Sequence, residues 1–172
     1  MEYCMQFTLF VLFLAFAAEP CIAKPVGKAT FHATGEGLAL DISGEGGIVD
    51  ADITRNGNKL SGTFKVKLSD FKTGMSLRDE HMQKLLEVVK YPYAKFTISE
   101  VEAASGVVSG TLELHGKTMT YSWPAKFEGS HVSVKGKVKL TAISTSLLTF
   151  ASLYSGGAMP KSVSFTLPFT ET

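Results

Sequence analysis

The sequence predicts an all-β fold: an antiparallel β-barrel with one α-helix inserted mid-chain and a short helical turn near the C-terminus. Three observations carry that prediction. Apolar and polar residues alternate in short runs along most of the chain, the period of strands with one buried face. One segment, residues 76–90, instead repeats its apolar residues at helical spacing. The alternating runs number eight or more and are joined by short turns, and closing such a meander removes its exposed edges. The 172 residues, 45% hydrophobic and 19% charged, suit one domain with a real core.

The first residues read as a leader. Phe7 to Ala18 is an apolar run, followed by Glu19-Pro20 and then Cys21-Ile22-Ala23, a small-x-Ala site before Lys24. The run falls short of the ~20 apolar residues a membrane-spanning helix needs. Residues 1–23 are expected to be a cleaved signal peptide and 24–172 the domain, periplasmic or secreted and without stable membrane insertion. The segment Met1 to Gln6 holds no Lys or Arg, and initiation at Met5 would not supply one. Glu19-Pro20 is a poor approach to a lipidated Cys21. Cleavage removes both cysteines, Cys4 and Cys21, and leaves 17 basic against 14 acidic residues. The mature chain could form neither a disulfide nor a Cys-ligated metal site.

From Lys24 the strands come in order. Leu38, Leu40 and Ile42 alternate with polar or small neighbours, Gly44 to Gly47 predicts a turn, and Val49, Ala51 and Ile53 alternate again. Asn56-Gly57 predicts a type I′ hairpin, which needs positive φ at both central positions. Leu60 leads into Phe64, Val66 and Leu68. Ser76 then offers an N-cap with Asp79 three residues on, and Met82, Leu85, Leu86 and Val89 form one helix face. Pro92 disfavours helical geometry at Tyr91, so the helix is expected to end near Lys90. Phe96 and Ile98 restart the alternation.

Beyond the helix the pattern is cleaner. Val108, Gly110, Leu112 and Leu114 share a face, and His115-Gly116 turns the chain. Met119, Tyr121, Trp123, Ala125 and Phe127 follow, and Glu128 to His131 turns it back. Val132, Val134, Gly136, Val138 and Leu140 oppose Ser133 and three lysines, and Val163, Phe165, Leu167 and Phe169 form the last strand. Pro124 and Pro168 each remove a ladder donor and belong at bends or unpaired edges. Between the last two strands, Ser146 can cap a turn carrying Leu147, Leu148, Phe150, Leu153 and Tyr154. That apolar stretch is either a plug on the core or a lid over a cavity mouth.

Alternation alone does not say which face points inward. A lipid-embedded barrel would turn the apolar face outward. The mid-chain helix, the lack of aromatic girdles and the lysine-filled polar faces favour an apolar interior instead. Four histidines, His32, His81, His115 and His131, fall on separate elements, so no metal site is expected. No nucleophile elbow, phosphate loop or marked carboxylate pair is present, so no catalytic residue, cofactor or enzymatic activity is expected. The scattered positive charge makes no nucleic-acid patch. Arg78, Asp79, Glu80 and His81 are expected to form an ion-paired helix start.

Several of these residues carry a resemblance. Thr73-Gly74, Arg78-Asp79-Glu80-His81-Met82, Lys90-Tyr91-Pro92, Ala94-Lys95-Phe96 and the run from Gly110 to His115-Gly116 resemble the signature of the YceI-like proteins. That family is described as lipocalin-like β-barrels that bind polyisoprenoids and other long apolar molecules. The resemblance implies an exported binding protein holding a polyisoprenoid, isoprenoid quinone or fatty-acid type of ligand. Burying each CH₂ contributes about 0.8 kcal/mol, so such a ligand binds tightly without chemistry. Alternation and resemblance together nominate Phe64, Val66, Phe96, Ile98, Leu112, Leu114, Tyr121, Trp123 and Phe127 as cavity lining, with Tyr121 and Trp123 as polar donors. The same large side chains could instead fill the core of a structural or partner-binding domain, or of an enzyme.

Overall fold

The computed structural model describes residues 21–25, 27–35, 41–128, 131–143 and 160–171. The strands are β1 (Cys21–Pro25), β2 (Lys28–Gly35), β3 (Asp41–Asn56), β4 (Lys59–Lys67), β5 (Tyr93–Glu102), β6 (Val107–Leu114), β7 (Lys117–Glu128), β8 (His131–Lys139) and β9 (Pro160–Glu171). All pairings are antiparallel. β1 and β2 share one position: β1 pairs with the far half of β3, β2 with its near half, and β9 flanks both. The ring therefore closes as eight positions, from β1/β2 through β3 to β9 and back. β1 begins at Cys21, so a cut before Lys24 would leave only Lys24 and Pro25 of that strand.

The expected turn at Gly44 to Gly47 does not form; β3 runs straight through it. The glycines serve packing instead. A Cβ on Gly44 would lie 2.5 Å from the Phe31 ring, and one on Gly46 would lie 2.8 Å from the Phe71 ring. Phe31 and Phe71 meet edge-on, with centroids 5.5 Å apart. Where β4 stops, Lys72 takes over the edge of β3, exchanging backbone hydrogen bonds of 2.8 and 3.0 Å with Glu45. The following hairpin is also displaced from expectation. Asn56 faces Lys59, the loop is Gly57-Asn58, and Gly57 alone has positive φ (+60°), the type II′ pattern.

The mid-chain helix, α1 (Ser76–Leu85), ends five residues early. Leu86 closes it with its amide directed at the Met82 and Lys84 carbonyls, and Glu87 at φ 46° turns the chain away. Leu85 packs on the core, but Val89 lies beyond the break and is 99% exposed. Ser76 is not the cap either. Met75 holds that position in extended geometry with no side-chain hydrogen bond, and Asp79 reaches back to Thr73. A second helix, α2 (Leu140–Ile143), takes Leu140 out of β8 and buries Ile143. The expectations for Leu38, Leu40 and the stretch from Ser146 to Tyr154 lie outside the described residues.

The apolar face points inward. Ile53, Leu60, Phe64, Phe96, Ile98, Val108, Leu112, Trp123, Val132, Val134, Val138 and Leu167 are buried together, while Lys135, Lys137 and Lys139 on the other face of β8 are exposed. Among the described residues no helix is long and apolar enough to cross a membrane.

Candidate functional site

Trp123, the chain's single tryptophan, divides the interior. Its ring lies 4.5 Å from Phe96, 4.9 Å from Tyr121 in a stacked pair, and 4.7 Å from Phe165 edge-on, all between centroids. On the side of β4, β5 and β6 the space is filled: Leu60, Phe64, Phe96, Ile98, Val108 and Leu112 are buried against one another. On the side of β8, β9, β2 and β3, Ile53, Val132, Val134, Val138 and Leu167 are buried too, but among them small residues, Ala29, Ala33, Gly44 and Gly136, stand beside the rings of Phe31 and Phe165. Gly136 accommodates Phe165 and Gly44 accommodates Phe31; a Cβ at Gly136 would lie 2.0 Å from the tip of the Phe165 ring.

An open cavity of about 960 Å³ lies on this second side, lined in part by Thr30, His32, Ser43, Glu45, Ser164 and Thr166. Phe31, Gly44, Trp123, Gly136 and Phe165 bound it within the barrel, and Lys72, Thr73 and Gly74 border it from the segment leading to α1. Backbone pairing explains why it reaches the wall. β7 and β8 pair only from Ala125↔Val134 to Glu128↔His131. Beyond that point Lys117–Pro124 pairs with β6 alone and Lys135–Lys139 with β9 alone, leaving a seam. Pro124 stands where the ladder stops and has no N–H to extend it. The Trp123 indole bridges the seam, Nε1 donating to the Lys137 carbonyl at 3.4 Å. Pro124, Lys135 and Lys137 from the two lips also border the cavity. The expectation of a prolyl edge thus holds at Pro124. Pro168 faces Ser133 within the β8–β9 ladder, beside the Gly27 break between β1 and β2.

All nine residues nominated from the sequence point into the interior. Phe64, Phe96, Ile98, Leu112 and Trp123 belong to the buried cluster, and Val66, Leu114, Tyr121 and Phe127 pack against it. Trp123 alone of the nine borders the cavity. Tyr121 directs its hydroxyl at Met119 Sδ, 3.6 Å away. The lining that sequence reasoning passed over is Phe31, Gly44, Gly136 and the stretch Lys72 to Gly74. One signal was available: Ala29, Phe31 and Ala33 alternate small, large, small, the pattern of a wall left open around one ring.

The residues that carry the family signature close the helix end of the barrel. Asp79 is 7% exposed and accepts hydrogen bonds from the Thr73 hydroxyl at 2.6 Å and its amide at 2.8 Å. The Thr73 hydroxyl is the chief reason its carboxyl is held below the usual range; the Thr73 amide and the charges of Lys72 and Arg78 act the same way, and burial opposes them. Pro92 accepts from the Leu68 amide at 2.9 Å. His115 and Gly116 make a two-residue hairpin with φ of 53° and 70°, and the Gly116 backbone lies against the Tyr91 ring. Tyr91 and His115 rings lie 4.6 Å apart, and His115 Nε2 lies 2.8 Å from Glu87 Oε2 without the alignment of a hydrogen bond. Arg78 directs its guanidinium at Met75 Sδ, 2.7 Å away, rather than at a carboxylate. Thr73, Asp79, Tyr91, Pro92, His115 and Gly116 of the signature thus clasp one another and the chain beside them, and Thr73 also borders the cavity.

A YceI-like domain is recognised over residues 24–167. The chain belongs to the YceI-like family. No curated protein matches it. Solved structures do: a polyisoprenoid binding domain from Saccharophagus degradans implicated in plant cell wall breakdown is 15% identical, with TM-score 0.66 over 88% of this chain and 98% of that one. BcnA of Burkholderia cenocepacia is 15% identical, with TM-score 0.63 over 84% and 96%. The YceI protein of Campylobacter jejuni is 16% identical, with TM-score 0.56 over 74% and 84%. At such identities the likeness is one of fold.

Proposed function

We propose that this protein is an exported carrier that holds one long apolar or amphiphilic molecule, of polyisoprenoid, isoprenoid quinone or fatty-acid type, inside the barrel. The observation that carries the reading is the cavity of about 960 Å³ bordered by Phe31, Trp123 and Phe165. That volume is at the upper end of the ~300–1,000 Å³ span of small-molecule sites, and the rings of Phe31, Trp123 and Phe165 offer the apolar contact such sites need, with polar side chains around them. Membership in the family supports a polyisoprenoid, as does the barrel shared with the polyisoprenoid binding domain of Saccharophagus degradans. Binding requires no turnover, and we assign no catalytic role to Asp79 or His81. Of the nine residues nominated from sequence, Trp123 is the contact residue; the other eight form the packed floor against which the ligand lies.

Export is supported by the apolar run before residue 19 and by the start of the recognised domain at Lys24. Native mass spectrometry of the protein purified from its source without detergent tests both parts. The expected result is a chain beginning at or near Lys24 carrying one additional long-chain molecule. A bare chain that also takes up neither isoprenoid quinone nor fatty acid when offered them would contradict the carrier reading. Retention of Met1 or Met5 would contradict export.

A further inference from the structure

The β7–β8 seam has a chemistry of its own, and it bears on which amphiphile the cavity takes. On its inner side stand Trp123 and Gly136; on its outer side stand Pro124, Lys135 and Lys137. The two lysines lie at alternate positions of β8, exposed, and among the described residues neither has an ion-pair partner. Their cross-strand neighbours on β9 are Thr166 and Ser164, which carry no charge. Among the described residues the one carboxylate bordering the cavity, that of Glu45, is engaged by Lys28, and the nearby imidazole of His32 pairs with Asp41 at 2.5 Å. The cavity thus joins aromatic walls to two lysines without ion-pair partners among the described residues, whereas the third cation on its border, Lys72, acts on the Asp79 carboxylate. A neutral ligand would leave that charge unused, whereas an anion there gains attraction.

We propose that the seam is the head-group site and that the ligand is a single-chain amphiphile with an anionic head. The tail lies in the chamber beside Phe31 and Phe165, and the head sits between Pro124 and the ammonium groups of Lys135 and Lys137. This rests on the carrier reading and narrows it to a ligand class. Carboxylate and phosphate heads satisfy the same chemistry, so the test carries both.

Tryptophan fluorescence titrations of the wild-type protein would use hexadecanoic acid against hexadecan-1-ol, and farnesyl phosphate against farnesol. The acid or the phosphate binds more tightly than its alcohol, and added salt narrows the gap. Replacing both lysines, Lys135→Gln with Lys137→Gln, weakens the anionic ligand roughly fivefold or more and leaves the alcohol unchanged. Lys139→Gln, at the next outward position but off the cavity lining, leaves both unchanged. Preference for the acid alone assigns a carboxylate head, and preference for the phosphate alone a phosphate head. Position is read by bromine quenching: 2-bromohexadecanoic acid quenches Trp123 more strongly than 16-bromohexadecanoic acid. Equal affinity for each acid and alcohol, an equal loss with Lys139→Gln, or stronger quenching by the 16-bromo acid would overturn the proposal while leaving the carrier reading intact. Failure of all four ligands to bind would instead contradict the carrier reading itself.

Discussion

The two sides of the barrel solve the same packing problem in opposite ways. From β4 to β6, large residues meet large residues, and the glycines that occur there are pinned by backbone. At Gly110 a Cβ would lie 2.2 Å from the Thr97 carbonyl, and at Gly62, φ 138°, 2.1 Å from the Asp52 carbonyl. From β8 round to β3, Gly46 and Gly136 face single rings, and the ring rather than the backbone is what a Cβ would meet there, while at Gly44 it would meet both the Phe31 ring and the Lys72 carbonyl. A contact with backbone cannot yield, whereas a ring beside a cavity has somewhere to go. One side is therefore a fixed floor and the other an adaptable chamber, with Trp123 between them.

The largest expected difference between the two sides comes from truncating one ring on each. Phe64→Ala, at a fully buried site, should destabilise by about 3–5 kcal/mol. Phe31→Ala, half-buried at the cavity wall, should lose about 1 kcal/mol. Denaturant unfolding measures both, and equal losses would erase the distinction. A second pair adds a methyl instead of removing a ring. Gly110→Ala should cost about 3 kcal/mol, and Gly136→Ala about 1 kcal/mol because Phe165 can swing into the chamber. The same swing should reduce ligand capacity in Gly136→Ala, read by native mass spectrometry. A Gly136→Ala protein as unstable as Gly110→Ala would show the open side to be as rigid as the floor.

The clasp that borders the chamber gives a smaller effect with a pH signature. Asp79→Asn should cost about 1–2 kcal/mol at neutral pH, since hydrogen bonds to a charged group are lost. Because the folded carboxyl titrates below its ordinary value, its contribution is fully present above about 3.9 and disappears as pH falls through the folded value. Unfolding curves of the two proteins should therefore converge only in acid below that range. A constant difference down to the lowest pH would show that the charge contributes nothing. Smallest of all is Val89→Ser, which should change stability by less than about 0.5 kcal/mol, because that residue lies past the helix break in solvent.

The contrast also marks what could be read from the chain alone. The strands β5 to β9, the inward face of each and the His115-Gly116 hairpin follow from period-two alternation, which burial of one face enforces. The glycines of β3 misled because a turn and a strand under a ring both call for a missing Cβ. Only knowledge of Phe31 and Phe71 across the sheet separates them. The helix failed locally for a similar reason: Val89 continues the apolar period, but Glu87 leaves the helix before that residue is reached. Of the residues nominated as inward and large, Trp123 borders the cavity and the other eight belong to the buried cluster or pack against it, since bulk marks filled space as readily as ligand contact. The chamber is marked by small residues, and its seam by the register at which β7 and β8 part, and neither is visible without pairing.

Fluorescence of Trp123 is the sharpest test of an occupied chamber, because the residue is the only tryptophan and stands at the boundary between floor and chamber. Titration with an isoprenoid quinone, whose ring quenches indole emission on contact, should give saturable quenching with one equivalent bound, lost on unfolding. Quenching that rises linearly without saturation, or none at all, with the quinone and with 2-bromohexadecanoic acid alike, would mean that the chamber does not hold a ligand and that the barrel is packed on both sides alike.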